Sequence, residues 1–190
     1  SERYGVLGYL EADNFENREY HKAFLNDVEE EIRRNFKAPF VKNFRNNYEG
    51  GNLPIYALVE VFSFGMLSKF YKNMKNPDKK EIAKSFGVGY TYFESWLESI
   101  SYVRNICAHY GRLYNAKLAK TPMLYKEYLS AGIGNNRIFG VLLCLKQLLK
   151  NDVHWNLFAD HVEMLFDKYE SVDIKTMGFP KNWKELLEIS

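Results

Sequence analysis

Along most of the chain apolar residues recur at helical spacing, and the strict alternation that marks a half-buried strand is scarce. Between Asn17 and Phe36 the residues Tyr20, Phe24, Val28 and Ile32 repeat every fourth position while EEEIRR supplies a charged face, which predicts an amphipathic helix. Pro39 limits that pattern and Gly50-Gly51-Asn52 breaks it. Pro54 then stands where a first helical position accepts proline. From there PIYALVEVFSFGMLSKFYKNM, residues 54–74, predicts one long helix, apolar nearly all the way round until Ser68 and so covered on several sides.

The next segment, NPDKKEIAKSFG, predicts a short helix with Asn76 as cap, Pro77 in the first turn and Gly87 as stop. Thr91 and Glu94 have the spacing of a capping box and predict the start of a helix running to about Tyr110, with Gly111 near its end. Periodicity fails from Asn115 to Asn136, where TP, AGIG and NN signal turns, so 115–136 is expected to be a long internal connection. Apolar spacing resumes in helices over Arg137–Lys150 and from about Asp152 to Tyr169. The tail, MGFPKNWKELLEI, predicts a turn and a short last helix capped by Asn182. The pattern as a whole predicts an all-α bundle of about six or seven helices in a single domain, 1–190.

Composition adds to this picture in three respects. With 190 residues, 46% of them hydrophobic and 16% aromatic, the chain can bury a core in which large rings dominate. A formal charge of +2 excludes a global field that would gather nucleic acid, so any such contact must come from a local patch. Cys107 and Cys144 both fall in apolar helical patterns, where a reduced cysteine behaves as a small hydrophobe, and a cytoplasmic location is expected. No signal-like segment or uninterrupted apolar run suggests a membrane partner, and Ser1 in place of Met suggests a natural start upstream.

The candidate chemistry concentrates in SYVRNICAHYGRLYN, residues 101–115. With Trp96 at the origin of a helical wheel, Ile100, Val103, Cys107 and Tyr110 fall within about 40° of it and predict the buried stripe. Asn105, His109 and Arg112 gather on the opposite side, and Arg104 lies near the margin. Arg104 and His109 are thus about 140° apart on a regular helix. A long arginine reach, a loosened last turn, or a second copy of the helix across a two-fold axis would bring them together. Imidazole can take or give a proton near neutral pH, and guanidinium can fork onto phosphate. Spacing alone is equally satisfied by a solvated helix end favoured by the C-terminal dipole.

Other candidates carry less. Glu60 is the one acid in the apolar segment 54–74; it either pairs with a cation, Arg104 and Arg112 being the candidates, or sits in wetter surroundings than the pattern implies. His154 and His161 lack further ligands at metal spacing and are expected on a helix surface, as is His21. Tyr114 can stack on an unpaired base, whereas Tyr110 is expected in the core. The run KNMKNPDKK, residues 72–80, is expected as a solvated turn, with an RNA backbone as the other reading. No phosphate-binding glycine loop occurs, so neither a nucleotide nor any other cofactor is expected.

Taken in order, LPIYALVEVFSFGMLSKFYKN, SWLESISYVRNICAHYGRLYN and MGFPKNW resemble the Abi-like (Abi_2, abortive infection) family of bacterial phage-resistance proteins, from about His21 to the C-terminus. That family in turn resembles the HEPN superfamily, whose Arg-x4-6-His signature is met by Arg104, four intervening residues and His109. The resemblance implies a HEPN-like helical fold, a homodimer, and metal-independent cleavage of RNA that leaves 2′,3′-cyclic phosphate ends. It implies His109 as acid/base group, Arg104 as phosphate stabiliser and Asn105 as the polar residue beside it. Arg112 is expected as a further phosphate contact. The family usually carries a further N-terminal region, most of which this chain is expected to lack. An antitoxin or regulatory RNA is a possible partner class. The alternative within the same fold is a non-catalytic RNA-binding or protein-interaction module.

Overall fold

The computed structural model describes residues 3–150 and 153–189. Among these residues the fold is all-α. Its helices are α1 (Arg18–Arg34), α2 (Pro39–Asn47), α3 (Ile55–Leu58), α4 (Phe64–Asn73), α5 (Asn76–Ser85), α6 (Tyr90–Ala108), α7 (Lys126–Ser130), α8 (Ile138–Leu148), α9 (Trp155–Lys168) and α10 (Trp183–Leu187). The chain forms two compact units, Ser1–Glu81 and Ile82–Ser190.

In the first unit α1 buries Phe24, Val28 and Ile32 as their spacing predicts, but the stripe is completed by His21 rather than Tyr20, which is 62% exposed. His21 is therefore not a surface residue. Its Nε2 donates to the Tyr9 carbonyl at 2.8 Å and its ring stacks on Phe15 at 4.7 Å, so the polar edge is satisfied inside the core. Phe15, Phe24, Phe62 and Phe70 meet ring to ring around it. The Tyr9 hydroxyl donates to the Leu53 carbonyl at 2.9 Å, and burial pushes that phenol up to about 12.

The single long helix expected over 54–74 is two helices. Pro54 is the cap of α3 rather than its first residue, and after one turn the backbone tightens into a 3-10 turn over Val59–Val61 and becomes extended at Phe62. Ser63 restarts the helix, its Oγ accepting from the Met66 N–H at 3.2 Å. Paired β-branched valines before a serine that can cap account for the break despite continuous apolarity. Glu60 rides on the exposed 3-10 turn, where water solvates it and no burial cost calls for a partner cation.

The run 72–80 is a folded element rather than a solvated turn. Lys79 is buried, its Nζ donating to the Lys72 carbonyl at 3.2 Å, while the Tyr71 hydroxyl donates to the Lys79 carbonyl at 2.8 Å. Asp78 is also buried, held by the Arg3 guanidinium and by the Tyr4 hydroxyl at 2.8 Å.

In the second unit α5 stops where expected: Gly87 takes φ +69° and the Val88 N–H returns to the Ala83 carbonyl at 3.1 Å. Gly89 caps α6, two residues ahead of the expected capping box, so Thr91 lies inside the helix. Helix α6 packs against α8, and α10 against α8 and α9, around Trp96, Phe139, Leu143, Trp155, Phe179 and Trp183. The expected connection 115–136 contains α7 and is pinned by buried Leu118, Leu124 and Ile133. Helix α8 lies within the predicted span, and the expected start of α9 at Asp152 lies outside the described residues. Asn182 occupies the N-cap of α10, without a side-chain cap bond. The Trp155 indole N–H donates to the Leu187 carbonyl at 2.7 Å, and Asn156 exchanges two hydrogen bonds with the Ile189 backbone. No helix among the described residues is long and apolar enough to cross a membrane.

The Ser63 cap yields a direct expectation. Ser63→Ala should lower the unfolding free energy by about 1 kcal/mol in urea titrations, and an unchanged midpoint would show that α4 does not depend on the cap.

Candidate functional site

The candidate site is the C-terminal third of α6, and its placement begins with the first two thirds. Trp96 is 1% exposed, and its indole N–H donates to the Met123 carbonyl at 2.7 Å. The Met123 N–H in turn donates to Ser95 Oγ at 2.8 Å, so the backbone of a single residue of the returning chain is gripped at both its N–H and its carbonyl by adjacent residues of α6. Lys120 Nζ lies 2.8 Å from Glu98, a pairing that raises the lysine's pKa. The rings of Tyr92, Trp96 and Tyr125 pack together below this clip at centroid distances between 4.8 and 6.0 Å. These contacts fix the axis of α6 before it leaves the core.

Beyond Val103 the helix is largely uncovered. Arg104, Asn105, Cys107, Ala108, His109, Tyr110, Gly111 and Arg112 are all exposed, and Ile106 is half-buried. Cys107 and Tyr110 therefore do not extend the buried stripe as their periodicity predicts; the core that would receive them ends at Ile100. Cys144, by contrast, is 1% exposed on α8, and burial pushes its thiol well up from the ordinary range.

Helix termination sets the geometry of the polar residues. The His109 N–H still bonds to the Asn105 carbonyl at 3.0 Å, so His109 keeps its place one turn above Asn105. Tyr110 then turns to φ +56°, and the Gly111 N–H closes onto the Ile106 carbonyl at 2.7 Å, a Schellman ending with tyrosine where glycine is usual. Gly111 serves a different need, because a Cβ there would lie 2.6 Å from Ile106 Cγ2 and 2.9 Å from its carbonyl oxygen. Tyr110 is 100% exposed, so a large ring is held in a strained backbone state with no packing in return.

Arg104 Nη1 donates to Asn105 Oδ1 at 3.2 Å. That bond draws the guanidinium from the margin of the helix toward the face that carries Asn105 and His109, and so narrows the angular gap within one chain. Arg112 follows on the exposed segment after the turn and pairs with no acid among the described residues. Tyr114 is partly exposed, at 39%. Asn115 has a structural part that the sequence pattern does not reveal: it takes φ +54°, and its Oδ1 accepts from Arg137, which also donates to the Ala116 carbonyl at 3.0 Å. Among the described residues no three His, Cys, Asp or Glu side chains group as a metal site.

The model of the Abi-like protein family matches residues 2–115. The chain belongs to the Abi-like family. The match begins nearer the N-terminus than the resemblance from His21 suggests and ends at Asn115, so the MGFPKNW block lies outside it. It takes in all of α1 to α6 and closes on the Arg-Leu-Tyr-Asn that follows the candidate site. Membership of this Abi-like family points to abortive infection, a phage-defence response. No curated protein and no solved structure matches the chain significantly.

The strain at Tyr110 predicts an unusual response. Tyr110→Gly should raise stability by about 1 kcal/mol, read as an upward shift of the thermal midpoint, since glycine takes the left-handed state without the Cβ penalty. A lowered midpoint would show that the ring is packed in solution.

Proposed function

We propose that this Abi-like protein is a metal-independent endoribonuclease of HEPN type, working as a homodimer in phage defence. The observation that carries the reading is the Arg104–Asn105 hydrogen bond, which holds a guanidinium on the side of α6 where His109 stands.

In this reading His109 takes the 2′-hydroxyl proton of a nucleotide in the groove. The 2′-oxygen attacks the adjacent phosphorus, the bond to the 5′-oxygen breaks, and the leaving oxygen gains a proton from water. The products are a 2′,3′-cyclic phosphate and a free 5′-hydroxyl. Arg104 and Arg112 stabilise the charge that grows on the phosphoryl oxygens, with Asn105 positioning Arg104. Tyr114, and Tyr110 with its fully exposed ring, offer faces on which unpaired bases stack. The dimer is supported by the uncovered end of α6, where Arg104, Cys107 and His109 all stand in water. A second copy about a two-fold axis covers part of that end, Cys107 included, and sets two Arg/His pairs beside one groove.

End-labelled RNA incubated in EDTA should be cut to cyclic phosphate ends by the wild type and left whole by His109→Ala. Arg104→Lys should cut at least ~100-fold more slowly, because an ammonium cannot fork onto phosphate. Intact RNA with binding that depends on Arg104, Arg112 and salt would identify a binding module instead.

Thiol labelling reads the dimer. Cys107 should react quickly in dilute protein and more slowly as concentration rises, while Cys144 stays slow throughout because it is buried. A Cys107 rate independent of concentration, with a monomer in light scattering, would contradict the two-fold assembly.

A further inference from the structure

A cleft of about 900 Å³ opens between α1 and α2 in the first unit. Its floor is apolar, made by Ile32 and Val41, both buried. On its wall Phe36 stands 56% exposed in the turn after α1, with Lys37 Nζ 5.8 Å from the ring centroid. Its ring face is thus open to a planar ligand at the edge of the cleft.

The charges around the ring divide into committed and uncommitted groups. Arg34 is engaged by Glu30 and Glu31, and Arg45 lies 4.0 Å from Glu29. Arg33 and Lys42 line the cleft and meet no carboxylate among the described residues. The dipole of α1 favours Arg33 at its C-terminal end, but Lys42 sits in the opening turns of α2, where the dipole opposes a cation and no acid offsets it. A lysine placed against the dipole, an unpaired arginine facing the same space and an exposed ring between them are arranged for a ligand with both a planar face and negative charge.

We infer that the α1–α2 cleft binds single-stranded RNA, stacking a base on Phe36 and pairing its phosphates with Arg33 and Lys42. This inference rests on the proposed RNA substrate and adds to it a second contact surface, made by residues other than those of the cleavage step. A volume at the upper end of the range for ligand clefts suits a strand better than one free nucleotide.

The test uses the whole chain carrying His109→Ala, so that binding is read without cleavage. Anisotropy of a short fluorescein-labelled single-stranded RNA should show at least tenfold weaker binding for Arg33→Gln/Lys42→Gln. The slope of log K against log salt should fall by about 1.4, the share of two single-strand phosphates. Phe36→Trp should keep affinity and gain tryptophan quenching on RNA addition, which also reports that the unit is folded. Unchanged affinity and slope in the double variant would overturn the inference. So would equal binding of the same sequence as a duplex, or displacement by AMP at matched nucleotide concentration, which would make the cleft a site for free nucleotide. Cleavage by the wild type is a separate readout: its absence would overturn the nuclease reading and leave the binding result in the cleft standing.

Discussion

The arrangement of the second unit depends on the backbone of one residue, Met123, held between Ser95 and the Trp96 indole. An indole N–H buried without an acceptor would cost free energy, and a loop of this length would otherwise be free to move. The two-sided grip meets both demands at once. It satisfies the indole and ties the returning chain to α6 at the level where the core closes. Everything beyond that level on α6 is carried outward as a rigid extension, and the Arg104, Asn105 and His109 side chains inherit its direction.

Helix α6 therefore has two parts with different physics. Its first part obeys burial: Phe93, Trp96 and Ser99 are inside, and aromatic rings fill the space between them and α7. Its last turn and the segment just after it obey exposure, with two arginines, an amide and an imidazole in water and a tyrosine strained into the left-handed region. Local rules violated without a packing gain are where function is expected to reside. The Abi-like family match ends just past this segment, and α7 to α10, of which α8 packs against α6, lie outside it.

Much of this was legible from spacing. The stripe of α1, the span of α8 and the stop at Gly87 follow from periodicity and backbone stereochemistry, which act locally. What escaped depended on distant parts of the chain or on competition between local options. Residues 54–74 read as one helix because apolarity is continuous there, while the break is decided by a serine that caps better than it propagates. Cys107 and Tyr110 kept the period of a buried stripe, yet a wheel cannot say where the opposing core ends. His21 was hidden because its acceptor, the Tyr9 carbonyl, lies on another segment. At the site, the resemblance named Arg104, Asn105 and His109, but the bond between neighbouring Arg104 and Asn105 was not foreseeable from a wheel, on which adjacent residues point apart.

The central claim is that Arg104 and His109 act together on one phosphate, with a second copy completing the groove. Mixing two inactive chains, Arg104→Ala and His109→Ala, tests it most directly. The account predicts that RNA cleavage returns on mixing, to a fraction of the wild-type rate set by the share of mixed dimers, because such a dimer brings one intact arginine and one intact histidine to the same groove. No recovery at any ratio, from variants shown to exchange subunits, would contradict it.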